Sequence, residues 1–169
     1  MIAAESNQCW ICVIQRTTNG CFDPDSQLLR ADGTLVRAAD LRVGELLLNP
    51  ITRNHLTVSD IVESHESLAM IGLTTIHGTV KVTSGHPILT QRGVIRADAV
   101  RLDDDVFNTS GSPESLTAVT VLPVDPNQRV INFRLSGPSS NDLTDHLVSS
   151  DGIVTGDLVA QLALGGNHE

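Results

Sequence analysis

The chain carries one stretch of sequence twice, and that duplication limits its fold more than any other feature. SQLLRADGTLVRAADLRVGELLL, beginning at Ser26, has a near copy in GHPILTQRGVIRADAVRLDDDVF, beginning at Gly85. Leu29 matches Leu89 and Gly33 matches Gly93 at an offset of 60, and Arg37, Ala38 and Arg42 match Arg96, Ala97 and Arg101 at an offset of 59. The register returns to 60 downstream, where Leu56-Thr57 matches Leu116-Thr117 and His86 matches His146. Two copies are too few for a solenoid, which needs three or more stacked units. They predict two halves related by a pseudo-two-fold axis and interlocked in one body.

Each copy has the texture of β structure. Short runs rich in Val, Ile, Leu and Thr end at turn residues, as in Gln27–Arg30 before Asp32-Gly33, Gly44–Leu48 before Asn49-Pro50, Val80–Thr83 before Ser84-Gly85, and His146–Ser149 before Asp151-Gly152. Such punctuation every ~8–12 residues indicates an all-β domain. Helical signals are confined to one or two turns around Val36–Arg42 and Ala97–Leu102, where Ala, Arg and Leu favour helix. Residues 1–20 read as a lead-in ending in Asn19-Gly20. Residues 21–157 read as the β-body. Residues 158–169 read as a flank, with an apolar stretch Leu158–Leu164 closed by Gly165-Gly166.

With 169 residues the chain is the size of one domain, and 40% hydrophobic against 18% charged residues supports a real core. Aromatics are 2%, so that core is aliphatic. The net charge of −9 and the scarcity of stacking rings argue against nucleic acid, which needs a basic footprint. The same charge is repelled by an anionic membrane surface, and no apolar run approaches the ~18 residues of a spanning helix. The start MIAAESNQ lacks the basic and apolar regions of a signal peptide, which suggests cytoplasm if the chain is complete.

A few residues stand out chemically. Cys21 opens the β-body rather than sitting inside a strand run, and the Gly20 before it leaves its carbonyl open to close approach. A small buried hydrophobe is the bland alternative for Cys21. Thr83-Ser84-Gly85-His86 sets a hydroxyl and an imidazole three apart around a turn, where both can face one point. Cys9-x-x-Cys12 has the spacing of a metal knuckle or a redox pair, but with no second ligand pair it reads as two unremarkable cysteines in a lead. Asp103-Asp104-Asp105 lacks the Gly and terminal Glu of a calcium loop and reads as a solvated turn. No metal or other cofactor is expected.

At these residues the chain resembles the Hint domain, the self-processing fold of inteins, hedgehog autoprocessing domains and bacterial intein-like proteins. CFDPDSQLLRADGTLVRAADLRVGELL is similar to the family's first block, VTSGHPILTQRG to the block with a Thr-x-x-His motif, and DHLVSSDGIVTGD to the closing block. The resemblance implies a horseshoe-like all-β fold with a pseudo-two-fold, in agreement with the duplication. It departs from the intein pattern at the end. Gly156 stands where inteins carry a penultimate His, Asp157 where they carry the terminal Asn, and Leu158 where a Cys, Ser or Thr follows. Asn132 stands where an Asp is frequent.

The resemblance implies an N-to-S acyl shift in which the Cys21 sulfur attacks the Gly20 carbonyl and the Gly20–Cys21 amide becomes a thioester. His86 is expected to protonate the leaving nitrogen, and the Thr83 hydroxyl or a backbone N–H to stabilise the Gly20 oxygen. Asn132 cannot accept a proton, so the first step is expected either to be slow or to rely on His146 as an auxiliary group. Water, a thiol or an amine would take the thioester. The partner is the chain's own flanking polypeptide, and a monomer is expected. With Gly156, Asp157 and Leu158 at the C-terminal junction, splicing is not expected. Two other classes compete: a degenerate Hint-like module with a structural or interaction role, and a cysteine peptidase with a Cys21/His86 dyad. The peptidase is disfavoured because its nucleophile follows a short lead instead of opening a cleft on a helix.

Overall fold

The computed structural model describes residues 20–136 and 142–165. Cys9 and Cys12 lie outside the described residues. Fourteen short strands follow in order: β1 (Gln27–Leu29), β2 (Leu35–Arg37), β3 (Leu46–Leu48), β4 (His55–His65), β5 (Ile71–Thr75), β6 (Gly78–Val82), β7 (Pro87–Thr90), β8 (Gly93–Arg96), β9 (Asp105–Phe107), β10 (Pro113–Ser115), β11 (Ala118–Val121), β12 (Arg129–Ser136), β13 (Leu147–Ser150) and β14 (Ile153–Gly156). One α-helix, α1 (Leu158–Gly165), closes the described chain. The expected all-β class holds. No helix among the described residues is long and apolar enough to cross a membrane.

The largest sheet runs β10-β9-β7-β14-β13-β1-β2, with β8 paired on β7. Two three-stranded layers, β11-β5-β6 and β12-β4-β3, complete the body, and every strand pair is antiparallel. The duplication is visible in this geometry. Hairpin β1–β2 and hairpin β7–β8 each turn through a glycine in the left-handed region, Gly33 (φ 88) and Gly93 (φ 99), where a Cβ would be strained. Each hairpin is followed by a single 3-10 turn, Ala38–Asp40 and Ala97–Ala99, which is all that the anticipated helical stretches form.

Side chains obey the same symmetry. Glu45 accepts the Arg42 N–H at 2.7 Å and the Arg30 Nε–H at 3.0 Å. Its counterpart 59 positions on, Asp104, accepts the Arg101 N–H at 2.8 Å and two guanidinium bonds from Arg92 at 2.8 and 2.6 Å. Asn49 and Asn108 each fold a carboxamide oxygen onto the N–H two residues later. The aspartate run is therefore not simply a solvated turn. Asp104 is buried, because its carboxylate ties the turn to Arg92.

The core is aliphatic except at one point. Phe22 and Phe133 stack at 5.2 Å between centroids, both fully buried, and the His86 ring meets the Phe22 edge at 4.3 Å. The two-residue turn between β13 and β14 has positive φ at both Asp151 (50°) and Gly152 (85°). That is the geometry a tight antiparallel hairpin requires, and it delivers β14, with Gly156 and Asp157, against β7 and the site.

Candidate active site

Cys21 lies on a short extended segment wedged between two strands. Phe22 bridges to Ile131 of β12 on one side and to Val82 of β6 on the other. The Thr83 N–H donates to the Cys21 carbonyl at 3.0 Å, and the Asp23 N–H donates to the Lys81 carbonyl at 3.1 Å. The Gly20–Cys21 peptide bond is thus clamped in the middle of the body. Both residues are buried.

Thr83 and His86 come together at this bond. The Thr83 carbonyl accepts the His86 N–H at 3.1 Å, closing the turn the sequence anticipates. The Thr83 hydroxyl oxygen accepts the Cys21 N–H at 2.7 Å, on the nitrogen side of the amide. His86 is fully buried, and desolvation pushes its pKa down to about 3, so the imidazole is neutral at pH 7. The backbones of Gly20 and Gly156 oppose that shift, which is the action of carbonyl oxygens on an imidazolium. Neither ring nitrogen makes a hydrogen bond of good geometry with them. One imidazole therefore sits between the first and last residues of the junction region.

The Cys21 thiol packs among Met70, Val130 and Leu122. Burial first, and then the Glu66 charge, push its pKa up to about 12 against the opposing pull of the Ser64 hydroxyl. The resting thiol is protonated. Asn132, across from Cys21 on β12, is buried. Its Oδ1 accepts the Phe133 N–H at 2.9 Å and its Nδ2 donates to Gln161 Oε1 at 2.8 Å.

His146 stands at the C-terminal junction. Its Nδ1 is 3.5 Å from Asp157 Oδ2, and its carbonyl accepts the Asp157 N–H at 3.1 Å. Asp157 is fully buried, and both its oxygens are committed. Oδ2 accepts the Leu135 N–H at 2.8 Å, where β12 slips register between Arg134 and Leu135. Oδ1 accepts the Ala160 N–H at 3.1 Å and caps α1. Burial raises the carboxyl pKa, and these backbone bonds work against the rise. A β-carbon on Gly156 would lie 2.7 Å from Ala160 Cβ and 2.8 Å from Pro87 Cβ, so no side chain fits there.

The chain's sequence matches no family model and no curated protein. Its structure does have relatives. It is similar to the gp41-1 intein (17% identity, TM-score 0.66, covering 82% of this chain and 99% of that one). It is similar to a DnaB intein from Synechocystis sp. PCC 6803 (23%, 0.66, 82% and 99%) and to a bacterial intein-like domain from Clostridium thermocellum (19%, 0.68, 81% and 98%). The fold is that of the inteins. Within this intein-like fold, the residues read from the sequence as Cys21, Thr83 and His86 meet at one peptide bond, and His146 pairs with Asp157.

Sequence reasoning missed Gln161, Ser64 and Glu66. Gln161 lies in a segment read as flank, and only its place one turn after Asp157 hinted at a capped helix. Ser64 and Glu66 lie at and just beyond the end of β4, and nothing local ties them to Cys21.

Proposed function

We propose that this intein-like domain processes its own chain at Gly20–Cys21 by an N-to-S acyl shift, without splicing. The observation that carries this reading is the grip on that one amide. A Thr83 oxygen takes its N–H at 2.7 Å, and a buried imidazole lies against the Gly20 backbone. In the shift the Cys21 sulfur bonds to the Gly20 carbonyl carbon and the carbon–nitrogen bond breaks. The thiol proton ends on the Cys21 nitrogen. His86 carries that proton, first as base and then as acid. Thr83 holds the nitrogen in line as it changes from planar to pyramidal.

The resting ionisation makes this step slow. Moving a proton from a thiol near 12 to an imidazole near 3 spans 12 − 3 = 9 pKa, about 12 kcal/mol before the attraction of the resulting ion pair. The C-terminal junction supports only the N-terminal half of the chemistry, since Asp157 is tied down at both oxygens and residue 156 has no imidazole. The same ionisation states favour a second reading, an intein-fold module that does not react. Thiol-induced cleavage separates the two. Release of residues 1–20 by the wild type, its loss in Cys21→Ala and a ~10²-fold slowing in His86→Ala support processing. An inert wild type supports the module.

A further inference from the structure

We propose that Gln161, in the helix that follows the β-body, is the residue that restricts the position before Cys21 to glycine. The C-terminal segment thereby selects what can stand on the N-terminal side of the junction. A β-carbon built on Gly20 would lie 2.6 Å from Gln161 Cγ, 3.0 Å from its Cδ and 3.2 Å from its Cβ. Even alanine collides there.

A glutamine side chain yields easily when its far end is free. Here it is not. Gln161 is 4% exposed, and its Oε1 accepts the Asn132 amide at 2.8 Å. Its backbone N–H donates to the Asp157 carbonyl at 3.0 Å. The helix cannot slide away either. Asp157 fastens its first turn to Leu135 and Ala160, and Ala160 rests on Gly156 with no spare room. A side chain at position 20 must therefore break the Asn132–Gln161 bond or shift the Gly20 carbonyl away from His86. A shift of an ångström at a reacting bond costs about 10²-fold in rate. The clash is steric and independent of chemistry. Only its consequence for cleavage rests on the processing proposed above.

The test is a double-mutant cycle on the full chain with Gly20→Ala, Gln161→Ala and the pair. Gln161→Ala removes the two nearest atoms and leaves the Cβ contact at 3.2 Å. With Gln161 in place, Gly20→Ala should lower Tm by about 3–10 °C, the size of an overpacked contact in a domain of this length. In the Gln161→Ala background the loss should fall below a third of that. If Gly20→Ala fails to fold with Gln161 but folds when combined with Gln161→Ala, the proposal stands. Failure to fold in both backgrounds, or equal losses in both, overturns it. Thiol-induced cleavage, read in parallel, should drop at least tenfold for Gly20→Ala with Gln161 in place and less than threefold in the Gln161→Ala background. Should no variant cleave, the processing function fails, while the Tm cycle still decides the role of Gln161.

Discussion

His86 makes the stability of this domain depend on acid in a way that can be calculated. Its pKa is about 6.5 unfolded and about 3 folded, because the folded imidazole is buried without a good partner. A histidine whose pKa is depressed by folding lends stability that is complete above the unfolded value and is lost as pH falls toward the folded one. The full span is 6.5 − 3 = 3.5 pKa, about 5 kcal/mol. Between pH 7 and pH 4 the loss is about 3 kcal/mol, or roughly 6–12 °C in Tm. Other groups titrate over this range. Asp151 and Asp157, both raised chiefly by burial, gain stability on acidification, while Asp104, lowered chiefly by Arg92, loses it. The comparison with His86→Gln cancels them. Urea unfolding followed by circular dichroism at pH 7 and pH 4 should show wild type losing about 3 kcal/mol more than the variant. Equal losses would mean that the imidazole is solvated or charged, and that the site between Gly20 and Gly156 is not as described.

Other expectations follow from the same contacts. Gly156→His should not restore C-terminal scission, and should destabilise by about 3 kcal/mol, because the new side chain meets Ala160 and Pro87; mass spectrometry and thermal melts check both. Asp157→Ala orphans the Leu135 and Ala160 N–H groups and should cost about 3–5 kcal/mol in urea unfolding. The Cys21 thiol, raised to about 12, and the His86 imidazole, lowered to about 3, keep their resting protonation from pH 7 to 9, and the proton passes within the site, so the acyl shift followed by intact mass at constant thiolate concentration should run at a constant rate over that range; a tenfold rise per pH unit would mean that the thiol proton leaves to solvent and not through His86.

The duplication was legible because it rests on local rules. Gly33 and Gly93 turn matching hairpins, and the alternation of apolar runs and turn residues marks the strands. The carboxylates that fix the two halves, Glu45 and Asp104, were not matched, because the pair differs in side-chain length and each works through a partner twelve or more residues away. Cys21, Thr83 and His86 could be chosen from their positions in motif-like blocks. The ionisation of Cys21 could not, since it depends on Met70, Val130 and Glu66, brought in from distant parts of the chain. His146 was placed by its repeat partner, but the return of β14 sets it beside Asp157 instead of the thiol. Helix α1 escaped notice because eight residues are too few to be helical alone. It exists through the Asp157 cap and its packing on the body.

The most direct test of the central claim is the intact mass of freshly purified protein after incubation with a small thiol. Formation of a thioester at Cys21 predicts two species. One is residues 1–20 carrying the added thiol at Gly20, and the other is residues 21–169 with a free N-terminal cysteine. Neither should form in Cys21→Ala. A single unchanged mass after prolonged incubation at pH 9, with the fold intact, would contradict the account.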